Sequence, residues 1–574
     1  MNRSNTLDVI KGFAIIAVIL YHAGLLTYGY LGVEVFLVVA GFLTTKSIIT
    51  QYDKVGFSYF CFLKRRLLRL WPLALLISFV SLAVGYFVML PDNYKICSET
   101  VVGTNWFANN VVQYITSGNY WDTSNDYKPL MHTWYLGIMM QYYLFFPLLI
   151  MTVHRFCGSS WLKKTRIMLY VVTGISLAFL LLPCVSEANK FYFLPARLWE
   201  YAVGGILAIS ASDDSNGRVN KYGNAALIVA VILMFVNSNM EIAQVRLVFT
   251  VLVTVVLVYL ATRKTSVQYD CNLRVVAYCG AASYSLYLWH QVILAFYRYV
   301  ISSDLSALDY MVVLLVSLTV GITSYGFMER SLAKLSGKRM EGAMIIACAL
   351  LATTLSIVSV IIYKHHGIVR NIPELDIVNE YPYTETQDYN ERNMLYDEDF
   401  KLNGRKNVFV IGNSYGRDWI NVLRESGVDS IMNISYHQHT DDVARERISK
   451  ADYIFVATNQ PFDEFYPLVP AMMEKKFYCV GYKAFGKCVG NYYNHSSEGY
   501  YSQIFAFDNR KNVEWLKVFG KEHFIDMMST IRNTDGTYPV FTSENKMFSH
   551  DGIHLTQSGA REFAQKMNVL QYFQ

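Results

Sequence analysis

The chain has 574 residues, of which 53% are hydrophobic, 15% aromatic and only 17% charged. About a quarter of the residues of an average soluble protein are charged, so something other than water must solvate much of this chain. The formal charge of +5 is small for the length, and with no basic patch concentrated on a soluble face it excludes nucleic acid as the expected partner.

Apolar blocks recur at 13–26, 33–43, 73–90, 167–182, 227–236, 248–261 and 344–363. Crossing a hydrocarbon core of about 30 Å takes about 20 residues of helix. The pattern predicts about eleven spans, centred near residues 18, 40, 80, 140, 175, 203, 229, 254, 290, 318 and 352, the fourth and ninth resting on aromatic segments studded with polar residues. The first span begins after Lys11, contains Tyr21 and His22 and lacks a small-residue cleavage site. It is expected to be retained and not removed as a signal peptide.

Basic residues sort between alternate loops. One set holds Lys54, Lys64, Arg65, Arg66 and Arg69, then Arg155, Lys163, Lys164 and Arg166, then Arg263, Lys264 and Arg274, then Arg330, Lys334, Lys338 and Arg339. The long loop 91–129 of the other set carries only Lys95 and Lys128. By the positive-inside rule the first set and the N-terminus are cytoplasmic, and an odd number of spans sends the C-terminal third to the opposite side.

Ionisable side chains inside apolar spans are costly and are functional candidates by default. Here they are His22, Glu34, Arg197, Glu200, His290 and Glu329; for Glu34 and Glu329 helix-packing pairs or interfacial snorkelling are an equal alternative. Lys11 lies eleven residues before His22, about three helical turns or roughly 16 Å, so the two share a helix face. A cation at the cytoplasmic mouth with an imidazole deeper in suits an anionic donor and a general base.

These residues carry a resemblance. Leu7-Asp8-Val9-Ile10-Lys11-Gly12 followed by Leu20-Tyr21-His22, the stretch Gly32-Val33-Glu34-Val35-Phe36, and Arg66-Leu67-Leu68-Arg69-Leu70-Trp71-Pro72 resemble ordered blocks of the membrane-bound acyltransferase-3 family. His132-Thr133-Trp134-Tyr135-Leu136, Arg197-Leu198-Trp199-Glu200, Ser283-Tyr284-Ser285-Leu286-Tyr287-Leu288-Trp289-His290 and Glu329-Arg330 continue the likeness over about 330 residues. Lys11 stands where the family usually has Arg, Glu34 where Asp is commoner, and Met139-Met140 where a carboxylate run is often found. The resemblance implies transfer of an acyl group, commonly acetyl from cytoplasmic acetyl-CoA, to a carbohydrate on the other side. It assigns Lys11, Arg66 and Arg69 to the phosphates of coenzyme A and His22 to general base. Lys64 and Arg65 read as topology charge.

The apolar pattern ends at Tyr363. The expected organisation is an acyltransferase-3 membrane domain over 1–340, an additional span over 341–363, a linker over 364–406 and a separate α/β domain over 407–574. The domain opens with a buried-strand signal, Val408-Phe409-Val410-Ile411, then Gly412-Asn413-Ser414-Tyr415-Gly416 and a helical stretch. A strand, tight turn and helix present a serine hydroxyl at the carboxyl end of a strand; serine is equally a good helix N-cap.

Near the C-terminus, Asp551 and His554 lie three apart in Ser549-His550-Asp551-Gly552-Ile553-His554, a spacing that allows a carboxylate on one imidazole nitrogen and Ser414 on the other. This start and end, with Ala451-Asp452-Tyr453-Ile454-Phe455-Val456-Ala457-Thr458-Asn459 between them, resemble the SGNH hydrolase family, a flavodoxin-like parallel-sheet fold. The resemblance makes Ser414 the nucleophile, His554 the base, Asp551 its orienter and Asn459 an oxyanion donor. Asn413 replaces the usual Asp, and Ile434-Ser435-Tyr436-His437 occupies the place of the glycine that usually supplies a second oxyanion N–H.

No metal is expected: His437 and His439 have near-ligand spacing but no accompanying cysteine or carboxylate pattern. Cys479 and Cys488 are close enough in sequence to pair in an oxidising compartment or to remain free thiols. Taken together, the expectation is a multi-pass enzyme of the bacterial inner membrane with its C-terminal domain extracytoplasmic. It would O-acetylate an envelope polysaccharide such as O-antigen, capsule or peptidoglycan, with the bilayer, acetyl-CoA and a surface glycan as partners. The alternatives are a transporter or flippase with an attached glycan esterase, and a hydrolase on a membrane anchor.

Overall fold

A computed structural model describes residues 5–54, 56–117, 125–213, 243–262, 271–303, 305–332, 334, 337–368, 372–375, 386–459, 462–486, 489–495 and 499–574. The span expected near residue 229, the basic pair Arg263 and Lys264, and Cys488 lie outside the described residues. The chain divides into two units. One comprises Met1–Phe87, Cys97–Tyr297 and Asp304–Ile361, the other Val88–Ile96, Arg298–Ser303 and Ile362–Gln574.

The first unit is helical. Long helices run over Asn5–His22, Gly32–Lys54, Tyr59–Val88, Trp134–Cys157, Trp161–Leu181, Leu194–Asp213, Ala243–Thr262, Ser283–Val300, Ala307–Ser324 and Lys338–Lys364, and each covers one of the expected span centres. Among the described residues, six helical segments are long and apolar enough to cross a membrane by length and composition. Side chains such as Leu315, Phe327, Ile346 and Leu350 are exposed, an apolar surface on a scale that calls for lipid and not water.

Inside the unit, helices meet through small residues. A side chain on Gly12 would strike the Val276 carbonyl, and one on Gly280 the Asp8 carbonyl, so the Asn5–His22 and Cys271–Ala281 helices touch backbone to backbone. Such crossings are the usual way for helices to pack where lipid removes the hydrophobic drive to associate. A buried ion pair joins two other helices: Arg197 Nη1 lies 2.8 Å from Glu34 Oε1 and 3.4 Å from Glu200 Oε1. Of the two readings open for Glu34, this is the helix-packing one.

The second unit is built on a parallel sheet. Strands β1 (Asn407–Ile411), β2 (Asn433–His437), β3 (Tyr453–Ala457) and β4 (Lys476–Val480) and the edge strand Phe524–Ile525 lie in the order β2-β1-β3-β4-edge. All four pairings are parallel. This is the doubly wound order, whose reversal lies between β1 and β3, where ligands bind outside the carboxyl ends of the strands. The strands are almost wholly buried, as apolar runs covered on both faces require.

Part of the segment expected as a linker belongs to this unit. Residues Thr386–Glu391 and Arg392–Tyr396 are helical, and Asn393 Nδ2 donates to the Arg417 carbonyl at 2.8 Å and to Asn421 Oδ1 at 2.8 Å. Cys479 on β4 is a free, buried thiol whose acidity burial suppresses.

Candidate functional site

The first group of functional candidates sits at the carboxyl end of β1. Gly412 has φ of +143°, and a side chain there would collide with the Ala457 carbonyl on β3, so only glycine lets the chain turn this close to its neighbour. Asn413 then caps the helix Ser414–Glu425, its side chain accepting from the Tyr415 N–H at 3.1 Å. The capping role open to Ser414 is therefore taken by its neighbour, and the Ser414 hydroxyl lies 3.1 Å from His554 Nε2.

The loop opposite is shaped by Asp551. Its Oδ1 accepts the N–H groups of Ile553 and His554, both at 2.8 Å, and its Oδ2 lies 2.5 Å from His554 Nδ1. Burial works against its charge, but the facing imidazole and these donors outweigh it and hold the carboxyl well below the usual range. A carboxylate on Nδ1 leaves Nε2 as the acceptor facing the serine, the orienter, base and nucleophile arrangement.

Asn459, two residues beyond β3, is tied to this turn through Asn413. Asn413 Nδ2 donates to Asn459 Oδ1 at 2.6 Å, which turns the Asn459 amide nitrogen away. That nitrogen is buried and has no hydrogen-bond partner among the described residues. A buried unsatisfied donor carries a penalty that an arriving acceptor removes, which is what a developing oxyanion would supply.

Residues without a sequence signal support this arrangement. Lys483 and Asp418 form a fully buried ion pair at 2.5 Å. Lys483 also donates to the Ile553 carbonyl at 2.7 Å, and Asp418 Oδ2 accepts the Leu555 N–H at 3.3 Å. The pair thus ties the helix of the serine to the loop of the histidine. Asn390 donates to the Ser414 carbonyl at 2.9 Å and to Asp418 Oδ1 at 2.7 Å. His437 is held by Asp397 on one ring nitrogen and Asp441 on the other, each at 3.0 Å, so it serves the packing of β2.

The second group lies in the helical unit. A cavity of about 700 Å³ is lined by Lys11, Lys46, Arg65, Arg66, Arg69 and Arg330 against three carboxylates, Asp8, Glu329 and Glu341. It gathers Lys11, Arg66 and Arg69, which the sequence singled out, and adds Arg65, which had read as topology charge only. Lys11 pairs with Asp8 at 2.6 Å, and Arg69 with Glu329 at 3.6 Å. The Arg66 guanidinium lies 4.8 Å from the centre of the Tyr143 ring and 5.1 Å from that of Phe62. Lys64 pairs with Glu341. An excess of cations over carboxylates suits a polyanion such as a chain of phosphates. His22 is not on the cavity wall; its ring packs 5.2 Å from that of His290.

The acyltransferase domain family matches residues 4–326, more than half of the chain. The chain belongs to the acyltransferase-3 family. Among its relatives are the O-acetyltransferase OatA of Staphylococcus aureus strain NCTC 8325, 27% identical over 354 residues, and a putative O-acetyltransferase of Staphylococcus aureus strain COL, 25% identical over 350 residues. Each match covers 57% of this chain and 57% of the relative, so the chain spans little more than half the length of the relatives it matches. No solved structure matches it.

Within this acyltransferase-3 chain, Met139 stands on the cavity wall, an uncharged thioether at the position where the family often carries carboxylates. Glu329 sits in a five-residue π-helical turn, Tyr325–Glu329, and accepts from Ser285 at 2.5 Å. Single π turns recur at functional sites, and this one brings a carboxylate to the cavity beside Arg69. Of its two open readings, lining the cavity is the one its position favours.

Proposed function

We propose that this protein is a membrane O-acetyltransferase that takes an acetyl group from acetyl-CoA on the cytoplasmic side and delivers it to a hydroxyl of a bacterial envelope polysaccharide. The observation that carries the reading is the Ser414–His554–Asp551 arrangement in a chain whose larger part belongs to an acyltransferase family. The cavity cations Lys11, Arg66 and Arg69, joined by Arg65, would bind the donor's phosphates, with His22 as general base in the membrane. The loop charges favour a cytoplasmic N-terminus and an extracytoplasmic C-terminal domain of SGNH type. In that orientation coenzyme A does not reach Ser414, so the acyl group is handed on before it arrives there.

At Ser414, His554 Nε2 takes the hydroxyl proton as Oγ attacks the acyl carbonyl, and Asn459 Nδ2 donates to the oxyanion. Collapse forms the serine ester, and the departing carrier takes the proton from His554. A sugar hydroxyl then repeats the sequence in reverse, again with His554 as base. The test incubates membranes with radiolabelled acetyl-CoA and an envelope glycan, using wild type, His22→Ala and Ser414→Ala. The expected result is labelled glycan in wild type alone. Undiminished labelling in both variants would sink the reading, and glycan deacetylation without use of acetyl-CoA would point to an esterase attached to a transporter.

A further inference from the structure

The loop that carries Asp551 and His554 holds one further buried hydroxyl. Ser549 lies two residues before Asp551 and is 2% exposed. Its Oγ accepts the Gly552 N–H at 2.9 Å and donates to Asp551 Oδ1 at 3.0 Å. The Gly552 N–H occupies a lone pair of the hydroxyl and leaves its proton for the carboxylate. Gly552 is itself fixed: its φ of +87° is one that glycine adopts without strain, and its carbonyl accepts the Phe485 N–H at 2.8 Å.

The two oxygens of the Asp551 carboxylate are thereby divided. Oδ2 faces His554 Nδ1 at 2.5 Å, whereas Oδ1 takes the Ser549 hydroxyl together with the N–H groups of Ile553 and His554, both at 2.8 Å. An aspartate carboxyl turns in a broad torsional well about its last bond, so its plane is set by the donors around it. The two backbone donors come from residues after Asp551 and the hydroxyl from a residue before it, so Oδ1 is held from both directions along the chain. Hydrogen bonds linked in this way, Gly552 N–H to Ser549 O–H to Asp551, polarise one another.

We propose that Ser549 is a positioning residue for acyl transfer at Ser414: its hydroxyl fixes the plane of the Asp551 carboxylate and, through it, the direction of the His554 imidazole. The inference rests on the reading of Ser414, His554 and Asp551 as nucleophile, base and orienter. Ser549 exchanges no proton in the reaction. The Ser414 proton goes to His554 Nε2, while the proton on Nδ1 stays against Asp551. The Nε2–Ser414 Oγ distance of 3.1 Å is near the upper end of the reach of a general base, so a tilted imidazole slows proton transfer without disturbing substrate binding.

The test uses the purified full chain with p-nitrophenyl acetate as acyl donor to Ser414, reading release of p-nitrophenolate. In Ser549→Ala, kcat should fall ~10-fold, the scale of one hydrogen bond to a charged group, with KM unchanged. The deciding comparison is with Asp551→Ala. Once the carboxylate is gone Ser549 has nothing to orient, so the double variant should match Asp551→Ala alone. A further loss in the double variant would assign Ser549 to the shape of the loop and overturn the inference, as would wild-type kcat in Ser549→Ala. Where the alanine variant does not accumulate, Ser549→Cys, close in size and only a weak donor, takes its place in the same comparison. Ser414→Ala separates the two levels: undiminished release there removes the triad reading, whereas loss there with a fully active Ser549→Ala removes only the role of Ser549.

Discussion

The Asn459 amide acquires its direction from one neighbour. Asn413 donates to the Asn459 oxygen, a bond that an aspartate carboxylate at 413 would not make, so the departure from the usual Asp fixes the Asn459 oxygen and leaves the amide nitrogen unpaired among the described residues. Asn459→Ala is expected to lower kcat of glycan acetylation by about 10²–10³-fold, as for other removed oxyanion donors, with acceptor KM nearly unchanged; an unaltered kcat would remove Asn459 from the site. Asp551→Asn should cost about 10⁴-fold, because the amide no longer fixes the His554 tautomer. The Asp551 carboxyl is held below its ordinary value in the folded protein. The stability it contributes is therefore complete above the unfolded value of about 3.9 and is lost only as pH falls below that toward the depressed one. Thermal denaturation against pH should show the wild-type advantage over Asp551→Asn flat from neutrality to about pH 4 and shrinking only under stronger acid.

Elements here are joined at their ends by buried polar contacts and along their lengths by small residues. The Lys483–Asp418 pair links the serine helix to the histidine loop with neither partner more than 1% exposed. Removing one partner leaves an uncompensated buried charge, so Lys483→Met is expected to destabilise by about 3–5 kcal/mol. Urea denaturation of the purified full chain measures it, and a loss well under 1 kcal/mol would mean the pair is dispensable. β1, β3 and the helix after Ser414 were legible as apolar runs and a turn signal. The helical piece Thr386–Glu391 was not: apart from Tyr389 its sequence is polar, and burial of that ring together with contacts to Asn421, Asp418 and Ser414 gives it a place.

For the whole molecule the organising fact is a change of solvent along the chain. Helices with exposed Leu, Ile and Phe give way after Tyr363 to a buried parallel sheet with polar surroundings. Lipid and water select these two constructions, since a bilayer accepts only backbones that satisfy their own hydrogen bonds. In the proposed orientation a phosphatase fused to Gln574 is active outside the cytoplasm; a silent fusion together with an active cytoplasmic reporter would reverse it. Family membership follows from ordered blocks across the helical unit, and the acetyl-CoA labelling experiment is the test of activity at this scale.

By itself the sequence determined the division into an apolar and a polar part and the family of the first, and it named Ser414, His554, Asp551 and Asn459 as the site candidates of the second. Hydropathy and motif spacing are properties of neighbouring residues and need no fold to be read. Only the tertiary structure decided that Asn413 and not Ser414 caps the helix, that Arg65 shares a cavity with Lys11, that Lys483 and Asn390 support the triad, and that His22, His290 and His132 meet. Each of these joins residues far apart in the chain or a choice between adjacent side chains. Contacts of that kind are settled by packing and by the requirement that buried polar groups find partners, and they leave no periodic trace in the sequence.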